Sequence, residues 1–231
     1  MVRVGVCLSG CGFLDGAEIH ESVITLLALD RAGAEAVCFA PDVEQMHVVD
    51  HRSGEVVEGE RRNVLVEAAR IARGNIRPAA EVGAGDWDAL IFPGGYGVAK
   101  NLSDFAVRGA ECEVQADVAR VIRETAEAGK PIGVICIAPA VCAAVFRGAE
   151  PPVELTIGCD AGTAEALAKM GAKHVVCPAG EIHVDPGRKI VSTPAYMLDS
   201  PISAVADGIE KLVAAVLERC GAGLGAAGRA G

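Results

Sequence analysis

The stretch Ile132-Gly133-Val134-Ile135-Cys136-Ile137-Ala138-Pro139 decides the fold. Gly129-Lys130-Pro131 breaks the helical pattern before it. Ile132–Ile135 is then a wholly apolar run of strand length, as expected of a strand buried on both faces. Pro139 fits the first turn of a helix, where its missing N–H donor costs nothing. Strand, tight turn and helix follow one another, with Cys136 at the turn.

Outward from this unit the same alternation recurs. Val2–Leu8 reads as a first strand, followed by the loop Ser9-Gly10-Cys11-Gly12. A helix is expected from near Asp15, with Glu18 three positions later as in a capping box. Its apolar face repeats at Ile19, Val23, Leu26 and Leu27, and Ala32-Gly33 ends it. Ala36–Ala40 is a second strand, closed by Pro41-Asp42. Residues 43–60 are polar, with a hairpin turn at Ser53-Gly54, and a helix runs from about Arg62 to Arg73. Ala89–Phe92 forms a strand ending at Pro93-Gly94-Gly95. Glu111–Ala128 is helical, with Val114, Val118, Val121 and Ile122 on one face.

Beyond Pro139 the pattern predicts strands at Leu155–Ile157, His174–Cys177, Ile182–Val184 and Ile190–Thr193. Helices are expected at Thr163–Met170 and Ile202–Arg219. The division is one α/β domain over 1–220 and a Gly/Ala-rich tail over 221–231, expected to be disordered because it has little to bury. Such alternation implies a mostly parallel sheet covered by helices on both faces. Ligands bind such sheets at the carboxyl ends of the strands. Three Gly-rich or reactive segments fall there: Ser9–Gly12, Pro93–Gly97 and Cys136–Pro139.

At 231 residues, 51% of them apolar, the chain can bury one full core. A net charge of −10 disfavours a duplex-binding or anionic-membrane protein, since phosphate contacts need clustered Lys and Arg. The longest apolar stretches are strand-length, too short to span a bilayer, and the N-terminus reads as a strand rather than a signal peptide. The nine cysteines are odd in number and include no CxxC pair. Cys7, Cys38 and Cys177 lie in apolar runs and read as core residues, so the expectation is a reducing, cytoplasmic setting without a disulfide framework. Cys7 and Cys11 have no matching second half for a zinc site, and no metal is expected.

Cys136 could be a buried apolar cysteine. Its position favours function, because a thiol ahead of a helix N-terminus meets unpaired N–H groups and the positive dipole end, which lower its pKa. The α/β-hydrolase nucleophile elbow has the same geometry. Pro93-Gly94-Gly95-Tyr96-Gly97 could be a plain turn, or could bring backbone N–H groups to a developing oxyanion. Glu21 could be a solvated first-turn carboxylate, or could face Cys136 and exchange protons with it. His20, about a quarter-turn from Glu21, reads as a surface or pocket-rim residue rather than a catalytic one. Gly10-Cys11-Gly12-Phe13-Leu14-Asp15-Gly16 nearly matches a dinucleotide fingerprint, with Asp42 as the ribose ligand. Its third glycine is one residue late, and Asp15, Glu18 and Glu21 crowd the pyrophosphate position.

Several segments together resemble the ElbB-type proteins of the ThiJ/PfpI superfamily. They are Leu8–Gly12, Asp15–Glu21, Cys38–Asp42, Pro93–Leu102, Cys136–Ala140, Leu155–Gly158 and Thr193–Met197, in order over about residues 2 to 218. The resemblance implies a three-layer, flavodoxin-like sandwich of the class I glutamine amidotransferase-like type, often a homodimer. It assigns the nucleophile to Cys136, the pocket glutamate to Glu21 and oxyanion donors to the backbone of Gly95 and Ile137. Gly94, Cys11, His20 and Asn101 are further pocket candidates. It also implies a glyoxalase that needs neither glutathione nor a cofactor, acts on a small dicarbonyl and is linked by name to isoprenoid biosynthesis. Many members place a histidine downstream of the cysteine. Here His174 and His183 lie in no matching motif, which points away from hydrolase chemistry. A redox sensor using Cys136, or a glutaminase-like amidotransferase subunit, are the alternative readings.

Overall fold

The computed structural model describes residues 1–221. Its strands are β1 (Arg3–Cys7), β2 (Glu35–Ala40), β3 (Val49–Asp50), β4 (Glu55–Val56), β5 (Arg77–Pro78) and β6 (Ala89–Phe92). They continue with β7 (Ile132–Ile135), β8 (Glu154–Leu155), β9 (Lys173–His174), β10 (His183–Val184) and β11 (Ile190–Thr193). The helices are α1 (Ile19–Arg31), α2 (Val64–Ile71), α3 (Tyr96–Lys100) and α4 (Phe105–Arg108). After these come α5 (Ala116–Glu127), α6 (Pro139–Val145), α7 (Ala161–Lys169) and α8 (Ile202–Arg219).

Seven strands form one sheet in the order β10-β11-β7-β6-β1-β2-β5. Every pairing in it is parallel except that of β10 with β11. The core divides into two clusters, one on each face of the sheet. Leu90, Phe92, Ile132 and Val134 face the side of α5 and α6, while Val4, Val6, Ile91 and Ile135 face α1 and α8. The period-2 alternation of side chains lets each central strand serve both clusters. This is the expected α/β sandwich. Trp87 anchors one layer, stacked on Phe39 with ring centroids 5.1 Å apart and its Nε1–H donated to Thr125 Oγ1 at 3.0 Å.

The first helix departs from expectation in two ways. It begins at Ile19 rather than near Asp15, with Glu18 as its N-cap accepting the Glu21 N–H at 2.7 Å. Asp15 is instead buried in the loop, where it accepts the Val49 N–H at 2.8 Å. The helix is also rotated relative to its apolar stripe. Ile19, Val23 and Leu27 face outward, while Glu21, Ser22, Thr25, Ala28 and Leu29 are buried. Small inward residues let α1 pack closely against its neighbours. The hydroxyls of Ser22 and Thr25 are satisfied within the helix, on the carbonyls of Glu18 and Glu21.

The hairpin at Ser53-Gly54 forms as expected, between β3 and β4. The two strands expected over Leu155–Ile157 and His174–Cys177 shrink to β8 and β9, which pair with each other outside the main sheet. The strand expected at Ile182–Val184 is the antiparallel edge β10, and α5 begins at Ala116 rather than Glu111. The short elements β5, α3 and α4 had no sequence signal strong enough to announce them. Residues 222–231 of the Gly/Ala tail lie outside the described residues. Among the described residues, no helix is long and apolar enough to cross a membrane.

Candidate functional site

Cys136 sits at the turn between β7 and α6 in the left-handed region, with φ 62°. This conformation costs a non-glycine residue on the order of 1–3 kcal/mol and persists only where surrounding structure enforces it. Here the Cys136 N–H is held by the Thr193 carbonyl of β11 at 2.9 Å. Beyond the turn, the Ala138 N–H bonds the Ile135 carbonyl at 3.0 Å and Pro139 opens α6. Cys136 is 7% exposed at the carboxyl end of the sheet.

Glu21 is fully buried, and its carboxyl and the Cys136 thiol lie side by side against Gly94. Oε2 accepts the Gly94 N–H at 2.8 Å, and Oε1 accepts the Tyr196 N–H at 3.3 Å. The backbone N–H groups of Gly95 and Ile137 act to lower the pKa of the thiol. Gly94 lies so close that a Cβ there would collide with the Cys136 side chain and with Glu21 Oε2. Gly95, with φ 98°, leads directly into α3 and packs against the backbone of Gly16, Ala17 and Glu18. The Pro93–Gly97 loop and the cysteine turn thus meet at one crevice, whereas Ser9–Gly12 does not line it and only Phe13 and Leu14 beyond that loop reach the wall.

Burial governs the charges. The Glu21 carboxyl is pushed up to about 8, mainly by desolvation and next by the neighbouring Glu18, against the lowering effect of its hydrogen bonds from Tyr196, Gly94 and Cys136. The Cys136 thiol is raised well above its ordinary value, first by desolvation and then by the Glu21 charge. The helix position alone predicts a lowered thiol. The Gly95 and Ile137 N–H groups do act in that direction, but they are outweighed by burial beside a carboxylate. The carboxyl and the thiol titrate as a coupled pair.

The thiol opens onto a cavity of about 1180 Å³. Glu18, His20, Gly95, Ile137 and Tyr196 line it together with the β3–β4 hairpin. His20 stands at this wall, with Nδ1 2.9 Å from the Tyr196 hydroxyl. Tyr196 was missed as a site residue, although Thr193–Met197 was one of the segments carrying the resemblance. Its backbone serves Glu21 and its side chain serves His20, a double role invisible in a linear motif.

Two pocket candidates belong elsewhere. Asn101 is buried as a tie: Nδ2 donates to the carbonyls of Ser9 and Asp15 at 2.9 and 2.8 Å, and Oδ1 accepts the Met46 N–H at 3.0 Å. Cys11 lies off the cavity wall, where Glu67, Arg70, Asp15 and Arg62 act on its thiol. The Gly10–Gly16 loop is closed on the hairpin through Asp15 and through the Leu14 N–H bonded to His51 Nε2, so it offers no phosphate cradle. Asp42 accepts from Asn63 Nδ2 at 2.7 Å. Neither His174 nor His183 lines the cavity, and His183 Nε2 lies 3.3 Å from Glu154. No cluster of three or more His, Cys, Asp or Glu suited to a metal occurs among the described residues.

No family model matches the chain. Among curated proteins, the human glutamine amidotransferase-like class 1 domain-containing protein 3, mitochondrial, is 52% identical over 228 residues, covering 95% of this chain and 84% of its own. The rat ES1 protein homolog, mitochondrial, is 51% identical over 228 residues with the same coverage. Both names place those relatives in mitochondria, which overturns the cytoplasmic setting expected from the cysteines and the N-terminus. Unpaired cysteines indicate a reducing environment but do not name the compartment that supplies it. Among solved structures, an Ehrlichia chaffeensis isoprenoid biosynthesis protein with an amidotransferase-like domain superposes with TM-score 0.88 at 39% identity, covering 95% of this chain and 99% of that one. Drosophila melanogaster DJ-1beta, at 19% identity and TM-score 0.53 over 96% and 97% of the two chains, shares the fold. The chain belongs to the family of glutamine amidotransferase-like class 1 domain proteins and ES1 homologues.

Proposed function

We propose that the protein is an ElbB-type, glutathione-independent glyoxalase that converts methylglyoxal or glyoxal to a 2-hydroxy acid. The observation that carries this reading is the juxtaposition of the buried Glu21 carboxyl and the Cys136 thiol against Gly94, at the wall of an open cavity. The likeness to the Ehrlichia protein supports the ElbB assignment. Sulfur adds to the aldehyde carbon while the thiol proton passes to the Glu21 carboxylate. The Gly95 and Ile137 N–H groups hold the resulting oxyanion, which takes the proton back to give a hemithioacetal.

Glu21 then removes the proton from the former aldehyde carbon. That electron pair forms the enediol double bond as water in the open cavity donates a proton to the second carbonyl oxygen. Glu21 returns its proton to the second carbon, and the hydroxyl on the first gives its own to the hydroxide left behind, re-forming the water and leaving a thioester. Water cleaves the thioester and frees the thiol. The aldehyde carbon is oxidised, the ketone carbon is reduced, and one water is consumed, so no external oxidant is needed. A carboxyl that ionises near pH 8 is suited to take and return a proton at neutral pH.

The raised thiol argues against a peroxide-sensing thiolate, and among the described residues no histidine is hydrogen-bonded to Cys136 as a glutaminase would need. The homodimer implied by the resemblance is a proposal of the same kind, checked by sedimentation of the purified chain. The deciding experiment is lactate formation from methylglyoxal without glutathione, in wild type and Cys136→Ala. Loss of activity in the variant is expected, and equal rates would end the mechanism.

A further inference from the structure

The cavity beside Cys136 is much larger than the proposed reaction requires. Its volume is about 1180 Å³, whereas methylglyoxal fills on the order of 100 Å³, about three water volumes. Cavities of this size accommodate ligands many times larger. Their walls indicate what kind. Phe13, Val56 and Tyr96 stand in this cavity while 46%, 42% and 54% exposed, an unfavourable display of large apolar surface that a ligand would cover. Phe105 and Leu198 extend the same wall.

The charges narrow the class further. Glu18, Asp160 and Asp199 line the cavity. The lining cation Lys100 is already engaged, its Nζ donating to the Leu14 carbonyl at 2.8 Å and lying 5.6 Å from the Tyr96 ring centroid. A carboxylate or phosphate on the substrate would face three acidic side chains and one occupied ammonium.

We infer that the substrate is a neutral 2-oxoaldehyde with a bulky apolar substituent, its aldehyde carbon at Cys136 and its substituent along Phe13, Val56 and Tyr96. This rests on the glyoxalase reading and names the substrate class for the same site.

The test uses methyl-, propyl- and hexylglyoxal, which share one reacting group, with the full chain. Expected is a rise in kcat/KM of up to about fourfold per added methylene, carried by KM. Val56→Asp, on the exposed hairpin, should flatten that series. Octanamide should inhibit methylglyoxal turnover competitively and at least roughly tenfold more strongly than octanoate. A flat or falling series in an enzyme that turns over methylglyoxal overturns the inference and leaves the glyoxalase reading standing. Equal inhibition by the amide and the carboxylate overturns the claim of neutrality. No turnover of any of the three aldehydes overturns both.

Discussion

The carboxyl of Glu21 and the thiol of Cys136 lie side by side against Gly94 inside the protein, one presented by α1 and the other by the turn after β7. With Glu21 raised to about 8 and the thiol well above its ordinary value, the pair holds both its protons at neutral pH and releases the first as alkalinity rises. The form that retains one proton is the one that can attack and shuttle. For methylglyoxal turnover, kcat/KM should therefore climb through neutrality and level off above an apparent pKa near 8. In Glu21→Gln the rate should fall roughly a hundredfold or more and lose this limb. A variant that keeps the wild-type pH profile would remove Glu21 from the mechanism.

The same shift has a consequence for stability. Glu21 ionises near 4.5 in an unfolded chain and near 8 in the fold, so across that window the native state holds a proton the unfolded state has lost. Its contribution is fully present below the unfolded pKa and is lost as pH rises through the folded one. The slope is at most about 1.4 kcal/mol per pH unit, the value for one proton. Glu21→Gln cannot ionise and should be less sensitive to pH from 5 to 8. Urea unfolding of both proteins at four pH values measures the difference, and parallel curves would contradict the assignment.

Gly94 is a position where one methyl group should separate function from fold. A Cβ there meets the Cys136 side chain on one side and Glu21 Oε2 on the other. Gly94→Ala should cost about 1–3 kcal/mol of stability. Because it pushes apart the two reacting groups, it should lower turnover by roughly a hundredfold or more. Methylglyoxal kinetics beside a thermal melt would decide it, and near-normal turnover would mean the crevice is looser than described.

Asn101 should behave in the opposite way. Its amide joins the loop after β1 to the segment before the hairpin through three hydrogen bonds, all away from the cavity. Asn101→Ala leaves buried backbone groups unpaired and should destabilise the fold by about 2–4 kcal/mol. Since the residue does not line the cavity, the KM of the folded fraction should stay near that of wild type. A large KM change without loss of stability would return Asn101 to the pocket.

The alternation of apolar runs with helical spacing, and the cysteine between Ile135 and Pro139, were enough to establish the α/β class and the site's anchor. These features are local, and the backbone physics of a strand, a tight turn and a proline-led helix acts over a few residues. The pairing of Cys136 with Glu21 entered only as an expectation, because it depends on strand order, which no local pattern encodes. The burial of Glu21 was also hidden. Its neighbours Ile19, Val23 and Leu27 suggested another inward face, and the polar residues that turned inward are satisfied by bonds within the helix and across the sheet ends. Tertiary structure alone decided the sign of the thiol's shift. A helix N-terminus and backbone donors pull one way, but desolvation beside a buried carboxyl pulls harder the other way, and desolvation exists only once the chain has closed around the site.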